Sequence, residues 1–394
     1  MIKKIALVRP GHYPEGLIIP LSLLYLASYL RKHTDDIEFK VIDAPLDDLS
    51  NSKVAELVHQ FAPDLVALTG LSFHTPYVKE AAREIRKILP QTPIVVGGAG
   101  VSSDPGDVLK ETSISYGVIR EGEETFLKLV EALNANEDPL LVSGLAYKNK
   151  EGKLITNPEQ PLIQEMDDIP FPAYDLIDVE KYFQSKKRTS QSPVFISKRL
   201  LPILTSRGCP FKCVFCHDTL GKDFRHRSPD NIVNEIVWLK EKYNFEELEI
   251  VDDIFNFDLK HAKEVFRKLI ANDLGLKIAF PNGIKYEMID TELLQLFKKG
   301  SKADFSCKDL VNCLSITYGC SPLSGLNTLV KVGSSNFNLI KVLLFFSPCH
   351  SVGNQPKPPI SHVTVPITSN APPYRRIVWM TSVITTARRP PSEV

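Results

Sequence analysis

The chain has 394 residues, enough for about two or three domains, and 43% of them are hydrophobic, enough for sizeable cores. A formal net charge of zero gives no electrostatic case for a nucleic-acid partner or an anionic membrane. No run reaches the ~18 apolar residues of a membrane span, and the opening apolar run is too short for a signal peptide.

Residues 1–135 alternate strand and helix. Apolar, β-rich runs fall at residues 5–8, 39–42, 64–68, 93–96 and 116–119, and helical patterns at 20–32, 52–61, 76–89 and 123–134. Continuous apolar strands separated by amphipathic helices predict an α/β domain with a doubly wound parallel sheet. Ligands of such sheets sit beyond the carboxyl ends of the strands. Those ends carry Pro10-Gly11-His12, Asp43-Ala44, Thr69-Gly70-Leu71-Ser72, Gly97-Gly98-Ala99-Gly100 and Glu121-Gly122-Glu123. Gly98-Ala99-Gly100 follows the fourth strand, not the first, which argues against a dinucleotide fingerprint. His12 and His74 read as polar loop residues before metal ligands, and Asp43 either caps a loop or touches a cofactor.

The proline-rich first loop, Leu23-Leu24-Tyr25-Leu26-Ala27-Ser28-Tyr29-Leu30, the Gly-Gly strand end and Glu-Gly-Glu-Glu-Thr resemble, in that order, the cobalamin-binding domain fused to many radical S-adenosylmethionine (SAM) proteins. The resemblance covers residues 3–135 and implies a Rossmann-like fold with cobalamin at Gly11, Asp43, Ser72, Gly97, Gly98, Glu121 and Gly122. Small residues there would let the corrin and its nucleotide tail approach the backbone. The Asp-x-His-x-x-Gly motif that supplies an axial histidine elsewhere is absent, and Gly100 stands where relatives often have histidine. The alternative is a domain that keeps the fold without the corrin.

Residues 136–195 form a connector. Residues 144–156 read as a β-hairpin turning at Glu151-Gly152, residues 168–175 as a proline- and aromatic-rich strap against both domains, and residues 186–191 as an exposed loop.

Cys209-Pro210-Phe211-Lys212-Cys213-Val214-Phe215-Cys216 carries three of the seven cysteines in eight residues. Cysteines so grouped read as cytosolic thiols and not as a disulfide framework, which predicts a cytoplasmic protein. Three soft ligands on one loop suit an iron–sulfur cluster better than a closed zinc site, which wants four donors. His217 offers the rival Cys3His zinc set, and inert buried cysteines are the third reading. The C-x3-C-x-aromatic-C pattern resembles the radical-SAM family, in which it follows the first strand of a partial (β/α) barrel; here that strand is residues 201–205. The resemblance implies a 4Fe-4S cluster on Cys209, Cys213 and Cys216, whose open iron holds SAM, with Phe215 against it.

In the barrel, predicted over residues 196–300, Ser228 is an N-cap with Pro229 at the first helical position. Arg225 and Arg227 read as a solvated face, or as contacts to the SAM carboxylate or a substrate acid. Asp252 and Asp253 end the second strand, where the resemblance implies a contact to the SAM ammonium; the plain alternative is a cap for the helix at 259–270. Asn282 follows the third strand, at the rim of the site.

After residue 300 the pattern changes. No acidic residue occurs between Leu310 and Ser392, and periodicity fades. The tail at 301–394 therefore reads as truncated or frame-altered barrel sequence, leaving an open sheet edge and a chain whose own activity is in doubt. Cys307, Cys313, Cys320 and Cys349 read as chance cysteines, not an auxiliary cluster, and residues 314–319 resemble a fourth strand only faintly.

The expected function is reductive cleavage of SAM driving cobalamin-dependent methylation of an unactivated carbon on a small molecule. An electron donor such as flavodoxin or ferredoxin would serve it, and no nucleic acid. The alternatives are a radical cyclase, ring-modifying or C–S bond-forming enzyme, and a non-catalytic cobalamin- or metal-binding protein.

Overall fold

A computed structural model describes residues 1–11, 17–187, 197–213, 216 and 218–300, with the backbone alone at 339–343 and 362–366. His12, Phe215, His217, the four later cysteines and residues 314–319 lie outside the described residues. The chain divides into two compact units, Met1–Leu326 and Asn327–Val394.

The first unit opens with β1 (Lys4–Arg9), α1 (Leu21–His33), β2 (Glu38–Asp43), the short α2 (Ala44–Asp47), α3 (Asn51–Phe61), β3 (Leu65–Thr69) and α4 (Thr75–Ile88). Then come β4 (Ile94–Gly97), the short α5 (Ala99–Ser103) and α6 (Pro105–Val108), β5 (Tyr116–Val118) and α7 (Glu123–Ala135). The five strands are parallel in the order β2-β1-β3-β4-β5. Alternation along β1 explains the two helical layers. Ile5 and Leu7 pack with Leu23 of α1 and Phe126 of α7, while Ala6 and Val8 pack with Val54 of α3 and Val78 of α4. Each such fully buried aliphatic or aromatic side chain contributes ~1.5–3 kcal/mol. The order reverses at β1, so the ligand crevice of the sheet opens between the ends of β1 and β3.

The hairpin forms as β6 (Leu145–Lys148) and β7 (Leu154–Thr156), but it does more than connect. Buried Leu145 and Ala146 pair antiparallel with β5, so the sheet runs on to seven strands. The strap then touches both halves of the unit. Ala173 N donates to Leu24 O (3.2 Å), and the buried Tyr174 hydroxyl donates to Pro202 O (3.1 Å).

After α8 (Val179–Gln184) come β8 (Leu200–Ile203), β9 (Ser206–Arg207), β10 (Arg225–His226), α9 (Pro229–Tyr243), β11 (Glu247–Ile250), α10 (Leu259–Asn272), β12 (Lys277–Ala279) and α11 (Thr291–Gly300). Strands β12-β11-β8 form a parallel sheet, the start of a (β/α) barrel. Its core contains Leu201, Ile236 and Phe266 together with Leu17, Ile19 and Leu24 from the amino-terminal half, so one apolar core holds the two sheets together. The Ser228 hydroxyl caps α9 by accepting from Asn231 N (3.1 Å). Helix α10 is capped by Asp258, which accepts from His261 N (2.9 Å), and not by Asp252 or Asp253.

The solvated reading of Arg225 and Arg227 is overturned. Both are buried, and both are paired, Arg225 with Glu121 and Arg227 with Glu235. Within the second unit, β13 (Leu339–Leu343) and β14 (His362–Pro366) pair antiparallel. Among the described residues no helix is long and apolar enough to cross a membrane.

Candidate active site

The three-cysteine loop is closed at its base by a two-residue ribbon. Arg207 of β9 stands opposite Arg225 of β10, and Ser206 opposite His226. Gly208 leaves the ribbon at φ +82°, and a Cβ there would lie 2.2 Å from the Asp223 carbonyl oxygen. Only glycine permits that approach. Replacing Gly208 by alanine should therefore force the two sides of the base apart, at a cost of about 3 kcal/mol or more, read as a lowered thermal midpoint. A midpoint shifted by less than a degree would show that the base yields freely.

Inside the loop, Cys209 N donates to Gly221 O (3.3 Å) and Cys216 N to Cys213 O (3.1 Å), so the second and third cysteines flank one turn. Lys222 Nζ donates to Phe211 O (3.1 Å). The Phe211 ring lies 4.3 Å from Lys285 Nζ and edge-on to Phe257, with centroids 6.1 Å apart. Cys209 and Cys213 are half-buried and Cys216 is exposed. Burial pushes the Cys209 thiol up, with Asp253 adding to it against a backbone hydrogen bond from Phe211.

Among the described residues no three His, Cys, Asp or Glu side chains are placed to hold one metal ion. A mononuclear zinc site needs its donors converging on one point at ~2.0–2.3 Å. A cubane instead presents separate iron corners to separate thiolates. Three thiols on one loop are the number that a cubane with one open iron corner needs.

The carboxylates beyond the loop hold the protein itself. Asp252 is buried; it accepts from Thr205 N (2.6 Å), the Thr205 hydroxyl and the Ser206 hydroxyl (2.6 Å). It brackets the ends of β8 and β11, and both oxygens accept hydrogen bonds from the chain itself. Asn282 donates to Val251 O (3.0 Å) and Asp252 O (3.2 Å), tying the segment after β12 to the same point. Asp253 is half-buried and close enough to influence the Cys209 thiol.

At the amino-terminal sheet the predicted ligand edge divides in two. Gly97 has open space where a Cβ would go, and Ser72 lines a cavity of about 610 Å³ with Phe73, Thr75, Lys79, Gly100 and Ser103. Leu71 and Phe73 after β3, and Tyr77 in the first turn of α4, expose apolar surface nearby. The other residues expected at that edge also have neighbours within the protein. Gly98, at φ +94°, has the Gly70 carbonyl oxygen 2.9 Å from its would-be Cβ, so its smallness serves loop packing. Gly11 is held against Tyr77 in the same way. Asp43 pairs with Arg9 and accepts from the Tyr182 hydroxyl of α8. Glu121 is buried against Arg225 and Arg207, and Gly122 packs its backbone on Leu26 at the start of α7. His74 is buried, its ring accepting from Leu71 N (3.3 Å); burial first, and Arg9 second, lower it to about 4, so it stays neutral.

Residues 11–130 match the B12 binding domain family. The chain is 32% identical over 284 residues to an uncharacterized methyltransferase of Pyrococcus horikoshii, covering 71% of this chain and 58% of the relative. It is 31% identical over 339 residues to cytidylyl-2-hydroxyethylphosphonate methyltransferase of Streptomyces wedmorensis, covering 75% and 62%. Among solved structures, the radical S-adenosylmethionine methyltransferase TsrM of Kitasatospora setae, with cobalamin and a 4Fe-4S cluster bound, is similar at a TM-score of 0.59 and 23% identity, covering 76% of this chain and 57% of that one. The chain thus spans about three fifths of the length of each of these proteins.

Proposed function

We infer that this chain, a B12-binding-domain protein with the fold of the cobalamin-dependent radical SAM enzymes, belongs to an enzyme that cleaves SAM reductively to methylate an unactivated carbon of a small molecule. The observation that carries the reading is one of placement. A loop with three thiols follows the first strand of a parallel half-barrel, in one compact unit with a sheet whose carboxyl edge carries open space at Gly97 and a cavity beside Ser72.

Bound here, a 4Fe-4S cluster supplies the electron for SAM cleavage and cobalamin supplies the methyl group. Cys209, Cys213 and Cys216 would hold the cluster as thiolates, which requires each to lose its proton on binding. The rise that burial gives the Cys209 thiol makes that uptake easier at higher pH. Gly208 and the β9/β10 ribbon fix the loop's base, and Phe211, packed by Phe257 and Lys285, shields its inner side from water. Asp252 and Asn282 hold the strand ends around the loop. Phe215, Asp253 and Asn282 are the proposed neighbours of SAM, and Ser72 and Gly97 those of the corrin. An electron donor of the flavodoxin or ferredoxin kind and a cytoplasmic setting go with this chemistry.

Anaerobic reconstitution with iron and sulfide tests the reading. About four irons per chain, formation of 5′-deoxyadenosine from SAM with a chemical reductant, and a shifted corrin spectrum on adding hydroxocobalamin are expected. Protein that takes up zinc and no iron would sink it.

A further inference from the structure

Resting on that reading, we propose that Glu121 and Glu123 are positioning residues: they lock the base of the three-cysteine loop to the corrin-binding sheet through Arg207 and Arg225. The segment Arg120-Glu121-Gly122-Glu123 leaves β5, and each of its charges meets an opposite charge on the loop or its base. Arg207 Nη2 donates to Glu123 Oε1 (2.6 Å), and its other terminal nitrogen lies 3.6 Å from Glu121 Oε1. Arg225 donates to both oxygens of Glu121, at 2.6 and 3.1 Å. These four side chains are all at least nine-tenths buried. Arg120, half-buried, reaches Asp218 inside the loop (3.3 Å).

The arginines then pass the constraint on. Arg225 also donates to Leu220 O (2.9 Å) within the loop and to Ile163 O (2.6 Å) in the connector. Arg207 lies over the Tyr25 ring of α1, 5.4 Å from its centroid. Arg207 and Arg225 are ladder partners, and Cys209 is two residues from the first. The loop's two entry points are thus each bound to a carboxylate of the other sheet. A bidentate guanidinium–carboxylate contact fixes orientation as well as distance. Charged groups sealed from water at a junction also resist sliding, since any slip leaves a buried charge unpaired. In a reaction that needs two cofactors in register, such a clamp sets their separation.

The test uses the apo protein and needs neither cofactor. Iodoacetamide alkylation of half-buried Cys209 is followed against that of exposed Cys216. In Glu123→Gln and Glu121→Gln the Cys209 rate should rise about tenfold, as expected for one lost charge-assisted hydrogen bond, while the Cys216 rate stays put. Glu123→Asp, which keeps the charge, should return most of the wild-type rate, and it also serves if Glu123→Gln does not fold. Asp43→Asn, which removes a different buried carboxylate partnering Arg9, is the control for general destabilisation. An unchanged Cys209 rate in both glutamine variants, or an equal rise in Asp43→Asn, would overturn the proposal. Because no iron enters this assay, failure of the protein to assemble a cluster counts against the enzymatic reading and leaves the clamp to be judged separately.

Discussion

Cys213→Ala is expected to abolish iron uptake and SAM cleavage together while leaving the fold and corrin binding in place. With about four irons per wild-type chain, the variant should hold less than one, and 5′-deoxyadenosine should fall to the level of a protein-free control. The physical reason is the donor count. The three thiols of the loop are the proposed ligands of three iron corners, one thiol to each. Loss of the middle ligand leaves two contacts on either side of the Cys213–Cys216 turn, too few to retain a cubane. The fold should tolerate the change because the base of the loop is held by Gly208, the β9/β10 ribbon and buried ion pairs, none of which involves Cys213. A half-buried loop position of this kind costs within about 0.5–1 kcal/mol when truncated. Thermal midpoint and hydroxocobalamin titration, measured beside iron content, separate lost ligation from lost structure. A variant with full iron and undiminished cleavage would remove Cys213 from the ligand set.

What was legible in the sequence follows from the range of the interactions involved. The apolar periods at residues 5–8 and 93–96 give strands, and Ser228-Pro229 gives a helix start, because those signals are local. The three-cysteine spacing is likewise local. Arg225 and Glu121 are 104 residues apart, and Arg207 and Glu123 are 84 apart, so nothing in their neighbourhoods announces a buried pair. Read alone, Arg225 looks solvated and Glu121, at a strand end, looks like a ligand contact; together they neutralise each other. Asp43 and Tyr182, 139 residues apart, repeat the lesson. One sign was available. Arg120-Glu121-Gly122-Glu123 crowds three charges into four residues at the start of a helix that goes on through Phe126, Leu127, Leu129 and Val130, charges that a buried junction must pair.

The second large effect is expected at Asp252, and its pH dependence identifies the cause. Burial raises this carboxyl from its ordinary 3.8 to about 6, against hydrogen bonds from Ser206 and Thr205 that favour the charged form. Because the folded value lies above the unfolded one, the native state binds the extra proton between about pH 6 and pH 3.8. The group therefore disfavours the native state above pH 6, and that penalty, about 3 kcal/mol, is withdrawn as pH falls through the window. Asp252→Ala removes the charge but strands the buried Thr205 N–H and hydroxyl; the Ser206 hydroxyl keeps a longer contact to Ile254 O (3.3 Å). Two orphaned donors cost about 1–3 kcal/mol each, so at pH 7 the two effects oppose, and at pH 4 the variant should be destabilised by the full amount. Asp252→Asn keeps an oxygen for Thr205 N and turns an amide N–H toward hydroxyls able to accept, so with the charge gone and no donor orphaned it should exceed wild type by up to about 3 kcal/mol at pH 7. At pH 4 that lead should shrink to within about 1 kcal/mol, since only the wild type gains from protonation. Urea unfolding of the three proteins at pH 7 and pH 4 reads these differences. A lead of the Asp252→Asn variant over wild type that does not shrink on acidification would mean that the carboxylate is solvated, and that the bracket joining the ends of β8 and β11 is weaker than its hydrogen bonds imply.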